Sequence, residues 1–224
     1  MSLNPEEQFD TITGLPLIEK EEKASNIKKA AIRVSVILSI YLALGIGIAF
    51  LIMKYGSTDT YNARIEIAIE YDLKWAYLGT IIFAATVIFL NFYPVFSKEK
   101  VMRTTGGNMR ANQFIYRLAN ENPKESSAVV LCEHGDLGFY NRGNRGIYHF
   151  LESCLPMLVT LPLGFFTFPF PTFVLTVIYS IGRILYQIGY TKKGFGGHFF
   201  GLMLDRAAGN IMMGLLILSA IKQF

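Results

Sequence analysis

Asn144-Arg145-Gly146-Ile147-Tyr148-His149-Phe150-Leu151-Glu152-Ser153-Cys154-Leu155-Pro156-Met157-Leu158-Val159 begins polar and ends apolar enough to enter a bilayer. Arg145, His149 and Glu152 stand at i, i+4 and i+7, so a helix gathers them on one face. Glu152 then lies roughly 9 Å along the axis at 1.5 Å per residue. A carboxylate at that depth is costly in lipid and has to face protein, water or a ligand. A second polar set, Arg183, Tyr186 and Tyr190 at i, i+3 and i+7, stands near the end of the next apolar stretch.

Outward from this segment, five stretches are long and apolar enough to span a bilayer: 32–53, 77–95, 147–168, 171–190 and 199–221. The third and fourth meet at a corner, Phe165-Phe166-Thr167-Phe168-Pro169-Phe170-Pro171. The chain is 52% hydrophobic, with a mean hydropathy of +0.36, too apolar for an ordinary soluble domain. Any one stretch could be a buried core helix. Five of them leave too little polar sequence to cover a core. The expected fold is therefore all-α and polytopic, with five spans. It comprises a polar arm at 1–31, a first span at 32–53, and a four-helix unit at 77–224 holding a long loop at 97–146.

Residues 1–22 carry Glu6, Glu7, Asp10, Glu19, Glu21 and Glu22 and no short apolar core, unlike transit or signal peptides. Targeting is then expected to reside in the first span. Cys132 and Cys154 give no disulfide framework. His134, His149 and His198 are far apart and repeat no ligand spacing, so no metal is expected. Gly106-Gly107 and Gly196-Gly197 read as turn glycines; they follow no strand and form no phosphate loop.

Of the 21 lysines and arginines, fifteen fall on one side of the spans, and Lys54, Arg64, Lys74 and Lys222 fall on the other. Arg183 and Arg206 lie inside spans. This asymmetry puts the N-terminus in the cytosol, or in the matrix of a mitochondrion. It also accounts for the net charge of +4: the basic residues are scattered among acids, with no nucleic-acid footprint. The same topology brings Lys98 and Lys100, Arg145, His149 and Glu152, Arg183, Tyr186 and Tyr190, and His198, Asp205 and Arg206 to one membrane face. Such a gathering reads as a ligand site. The alternative is a purely structural set, in which Glu152 pairs with Arg145 or Arg183 while Asp205 and Arg206 find partners inside the bundle.

Arg145-x-x-x-His149-x-x-Glu152-x-x-x-Pro156, followed by Gly182-Arg183-Ile184-Leu185-Tyr186-Gln187-Ile188-Gly189-Tyr190, resembles the MAPEG family of microsomal glutathione transferases and related lipid-mediator proteins. The resemblance covers about 77–224; the arm and the first span have no counterpart. It implies a four-helix unit that binds glutathione at a subunit interface of a homotrimer. Arg145 and Glu152 would contact the peptide, with His149 where relatives carry Asn. Arg183, Tyr186 and Tyr190 would line its glycyl and glutamyl ends. The family's catalytic arginine falls on Lys100. Loop 97–146 is about twice the family's length, and the link 191–197 lacks an arginine that some catalytic relatives have. Glutathione carries two carboxylates and one ammonium, which suits arginine forks and one glutamate. A cation near its sulfur raises the thiolate fraction.

Two functions follow. The first is a glutathione-dependent transferase or peroxidase acting on lipophilic electrophiles or lipid hydroperoxides, with glutathione as co-substrate. The second is a non-catalytic MAPEG-like accessory subunit of a larger membrane complex, such as a mitochondrial respiratory assembly. Such a subunit would dock on unlike partners through the first span and the long loop. The first span carries small-residue pairs, Ala43 with Gly47 and Gly45 with Ala49, that let another helix approach closely. Lipids are partners in either reading, and the membrane is that of the endoplasmic reticulum or the mitochondrial interior.

Overall fold

The computed structural model describes residues 17–101, 114–118 and 129–224. Among these are seven helices: α1 (Lys20–Tyr55), α2 (Thr58–Glu70), α3 (Lys74–Lys98), α4 (Gly135–Ser153), α5 (Leu155–Thr167), α6 (Pro169–Lys193) and α7 (Phe199–Ile221). Two short strands, β1 (Tyr116–Leu118) and β2 (Val129–Leu131), pair antiparallel with Arg117 opposite Val130. Among the described residues the protein is thus all-helical apart from one small hairpin.

Four helices, α1, α3, α6 and α7, are long and apolar enough to cross a membrane, and α4 with α5 makes a fifth if the bent pair is one span. This architecture is compatible with an integral membrane protein. The expected spans are corrected in three places. Residues 20–31 are not a separate arm: they form the first turns of the 36-residue helix α1. The expected 147–168 span starts earlier, at Gly135, and is bent by 46° between Ser153 and Leu155. Pro156 explains the break, because it offers no N–H to the carbonyl of Glu152 and its ring crowds that carbonyl. The last quarter of the expected 97–146 loop is therefore helical, and the 54–76 loop carries α2. The Gly106-Gly107 turn and the polar stretch 120–127 lie outside the described residues.

α6 is central and packs on α3, α4 and α7, while α5 lies against α6 and α7. Phe83 and Leu90 of α3, Phe150 of α4, Leu161 and Phe165 of α5, Tyr179 of α6 and Met212 of α7 form the core, with Leu90 and Met212 wholly enclosed. α6 opens with Pro169 and Pro171 in its first turn, where a missing N–H costs nothing. It ends at Gly194, whose φ of +73° suits glycine and whose N–H bonds the carbonyl of Tyr190.

α6 and α7 cross at very close range. A Cβ at Gly201 would collide with the backbone N of Tyr186 and the carbonyl of Gly182, and one at Gly189 with the carbonyl of Gly197. One end of the bundle is tied by polar contacts. Arg142 Nε donates to the carbonyl of Thr191 at 3.1 Å, and Gln187 Nε2 to that of Gly143 at 2.8 Å. Asn141, buried, clasps the hairpin base through the N–H of Ile115 and the carbonyls of Ile115 and Cys132 at 2.7–2.9 Å.

α1 joins this end through Lys23–Asp136 at 2.6 Å and through Ala30, Val34 and Leu38 packed on Phe92 and Val95. Its most apolar 18-residue stretch has no buried residue. Nothing lies within 4 Å of the positions a Cβ would take on Gly45 and Gly47.

Candidate functional site

The residues singled out in the sequence divide among three places. Arg145 and Tyr190 line a crevice of about 480 Å³ at the tied end of the bundle, together with Glu133, His134, Arg142 and Lys193. Arg145 is exposed on the fourth turn of α4. Arg142, one turn earlier on the same helix, braces the crevice by bonding the carbonyls of Thr191 and Glu133. Lys193 stands one turn beyond Tyr190, so helical spacing extends both predicted faces toward the membrane surface. Sequence reasoning counted Arg142 and Lys193 only as topological charges. The i−3 and i+3 spacings were the signal that could have placed them in the site.

Deeper in the bundle the polar face becomes a stack of rings. His149 lies flat on Tyr186, with centroids 4.8 Å apart and planes 6° apart. Tyr190 follows at 6.0 Å from Tyr186, and His198 of the α6–α7 link sits 5.0 Å from Tyr186 and 5.5 Å from Tyr190. The i, i+4 spacing puts Tyr186 and Tyr190 on one face of α6, and the packing of α4 and of the α6–α7 link adds His149 and His198 to the stack.

No protein-family model, curated protein or solved structure matches the chain.

Below the stack Arg183 is already paired. Its side chain is 1% exposed, and Nη1 lies 2.7 Å from Oδ2 of Asp205, itself 2% exposed. The guanidinium also rests against the rings of Phe150 and Tyr186, 5.1 and 5.0 Å from their centroids. The expected pairing of Glu152 with Arg183 is therefore corrected: α7, not α4, supplies the carboxylate. Glu152 is exposed near the C-terminal end of α4, just before the break, and lines none of the three crevices described. Which cation it meets depends on how α4 packs against α6, which the i, i+4, i+7 spacing does not encode. Arg183, Asp205, Arg206, Tyr179, Ser153 and Asn210 line a smaller crevice of about 120 Å³ between α5, α6 and α7. Nε and Nη2 of Arg183 and the hydroxyl of Tyr179 lack a hydrogen-bond partner there.

Lys100 belongs to neither place. It lies against α1 and α4, with Nζ 3.8 Å from the centroid of the Phe139 ring. Among the described residues no group of three or more His, Cys, Asp or Glu side chains is arranged to hold a metal ion.

Proposed function

We propose that the chain is a membrane-embedded, glutathione-dependent protein of MAPEG type that acts on lipophilic electrophiles or lipid hydroperoxides. The observation that carries this reading is the charge set of the surface crevice. Arg142, Arg145 and Lys193 supply cations, Glu133 an anion and Tyr190 a hydroxyl. A tripeptide with two carboxylates and one ammonium calls for such a set. The crevice volume lies within the usual range of roughly 300–1,000 Å³ for small-molecule sites. In a homotrimer of the family's kind, the exposed Glu152 would be offered to a neighbouring copy. Glutathione would bring its own thiol as nucleophile; the chain's part is to bind and orient it.

Equilibrium dialysis of the nanodisc-reconstituted protein is expected to give millimolar or tighter glutathione binding. Arg145→Ala should weaken it by about 1.5–3 kcal/mol, the cost of a lost charge-assisted contact. No binding at millimolar glutathione removes this reading.

A second reading has its own support. Lys100, the family-matched thiolate stabiliser, lies away from the crevice of Arg145, and the apolar stretch of α1 is uncovered. Both features suit a non-catalytic accessory subunit docked through α1 on unlike partners. On that reading, any glutathione binding comes without conjugation of a lipophilic electrophile, and the chain purifies with other subunits from its native membrane.

In both readings the tied end of the bundle faces the cytosol or matrix, as the charge asymmetry motivates. In a background free of Cys132 and Cys154, Ser25→Cys and Lys222→Cys are expected to react with an impermeant thiol reagent from opposite sides. Reaction from the same side overturns the five-span topology.

A further inference from the structure

We propose that the crevice between α1, α3 and α4 holds the phosphate and upper acyl chain of one anionic phospholipid. Ile27 and Ala31 of α1, Tyr93 and Phe96 of α3 and Phe139 of α4 wall a cavity of about 310 Å³, and Lys100 is the charged residue on its lining. The lysine is held at the rim by the face of Phe139, 3.8 Å from Nζ to the ring centroid. The carboxylates nearest in sequence are engaged elsewhere. Asp136, one turn before Phe139, is taken by Lys23 at 2.6 Å, and Glu99 is buried and engaged within the protein. One cation thus caps an aromatic, almost wholly apolar slot.

Depth selects the occupant. Seven residues separate Tyr93 from Lys100, roughly 10 Å along a helix. α3 ends at Lys98, so Lys100 stands at headgroup level while Tyr93 and Phe96 stand beside the first methylenes of a lipid. A soluble anion would use the lysine and leave the apolar walls unmet. A lipid without net charge would use the walls and leave the lysine's charge unbalanced. An anionic phospholipid uses both, and basic residues at a membrane face favour it.

The test is native mass spectrometry of the full chain released from nanodiscs of phosphatidylcholine doped with phosphatidylglycerol. One phosphatidylglycerol is expected to stay bound in preference to phosphatidylcholine. Lys100→Ala should lower its retention about fivefold, the loss of one basic contact. Ala31→Trp, which fills the cavity, should abolish retention, and Lys192→Ala should leave it unchanged. Lys100→Glu reverses the charge without touching the apolar walls: phosphatidylglycerol should be lost and phosphatidylcholine should not. Equal retention of the two lipids by the unaltered chain overturns the proposal. So does wild-type retention by Ala31→Trp, or displacement of the lipid by soluble glycerol phosphate. Protection of Lys100 from acylation by a segment of the chain, with no lipid retained, identifies a different occupant and overturns it as well. None of these outcomes depends on whether glutathione binds.

Discussion

Asp205→Ala is expected to destabilise the folded protein by about 3–5 kcal/mol, the usual cost of stranding one member of a buried ion pair. Arg183 would be left enclosed between the rings of Phe150 and Tyr186, with the carboxylate beside it gone. Breaking the pair and removing it are different experiments. Arg183→Leu combined with Asp205→Leu takes away both charges and leaves apolar groups of similar bulk, so most of the loss should be recovered. Denaturant unfolding in detergent, followed by circular dichroism, reads both. Equal destabilisation by the single and double variants would show that the pair acts through shape and not through charge.

Gly201→Ala is the second large effect, at about 3 kcal/mol. One methyl group at this position meets only main-chain atoms of α6, the N of Tyr186 and the carbonyl of Gly182. Backbone has no rotamer to escape into, so the two helices must separate, and overpacking of this kind costs about 1–3 kcal/mol or more. Separation also stretches the Arg183–Asp205 bond and lifts His198 from Tyr186. Gly209→Ala is the control, since nothing stands within 4 Å of its Cβ position; it should not destabilise and should gain up to about 1 kcal/mol from alanine's higher helix propensity. Equal stability of the two variants would mean that the close crossing contributes nothing.

Hydropathy made the long helices legible. α7 has the bounds read from the sequence, and α3 and α6 overrun theirs by two or three residues at each end. Lysines there, such as Lys74, Lys98, Lys192 and Lys193, do not register as apolar but still form helix. α2 escaped because its apolar positions, Ile65, Ile67 and Ile69, alternate with charge over a short polar segment. The bend at Ser153 was written in Pro156, yet a proline in a membrane helix can be absorbed without a break, and only packing decides. Within the site, spacing placed Tyr186 beside Tyr190 on one face of α6, but the stack of His149 on Tyr186 needs α4 packed against that face. The Arg183–Asp205 pair was harder. Both residues were visible as polar groups at one membrane face, but their pairing depends on how α6 and α7 are rotated and how closely they approach. That closeness is set by Gly182 and Gly201, whose spacing says nothing until both helices are in place. The surroundings of Lys100, against α1 and Phe139, were not legible, because order along the chain carries no information about how α1 packs beside α3 and α4.

α1 and α3 meet near Ala30 and Val95, and the most apolar stretch of α1 beyond that contact buries nothing against the described residues. A helix held at one end only needs hydrocarbon or a second helix along the rest of its length. In a bilayer, that free stretch would be the first part of the protein to register a change in membrane thickness.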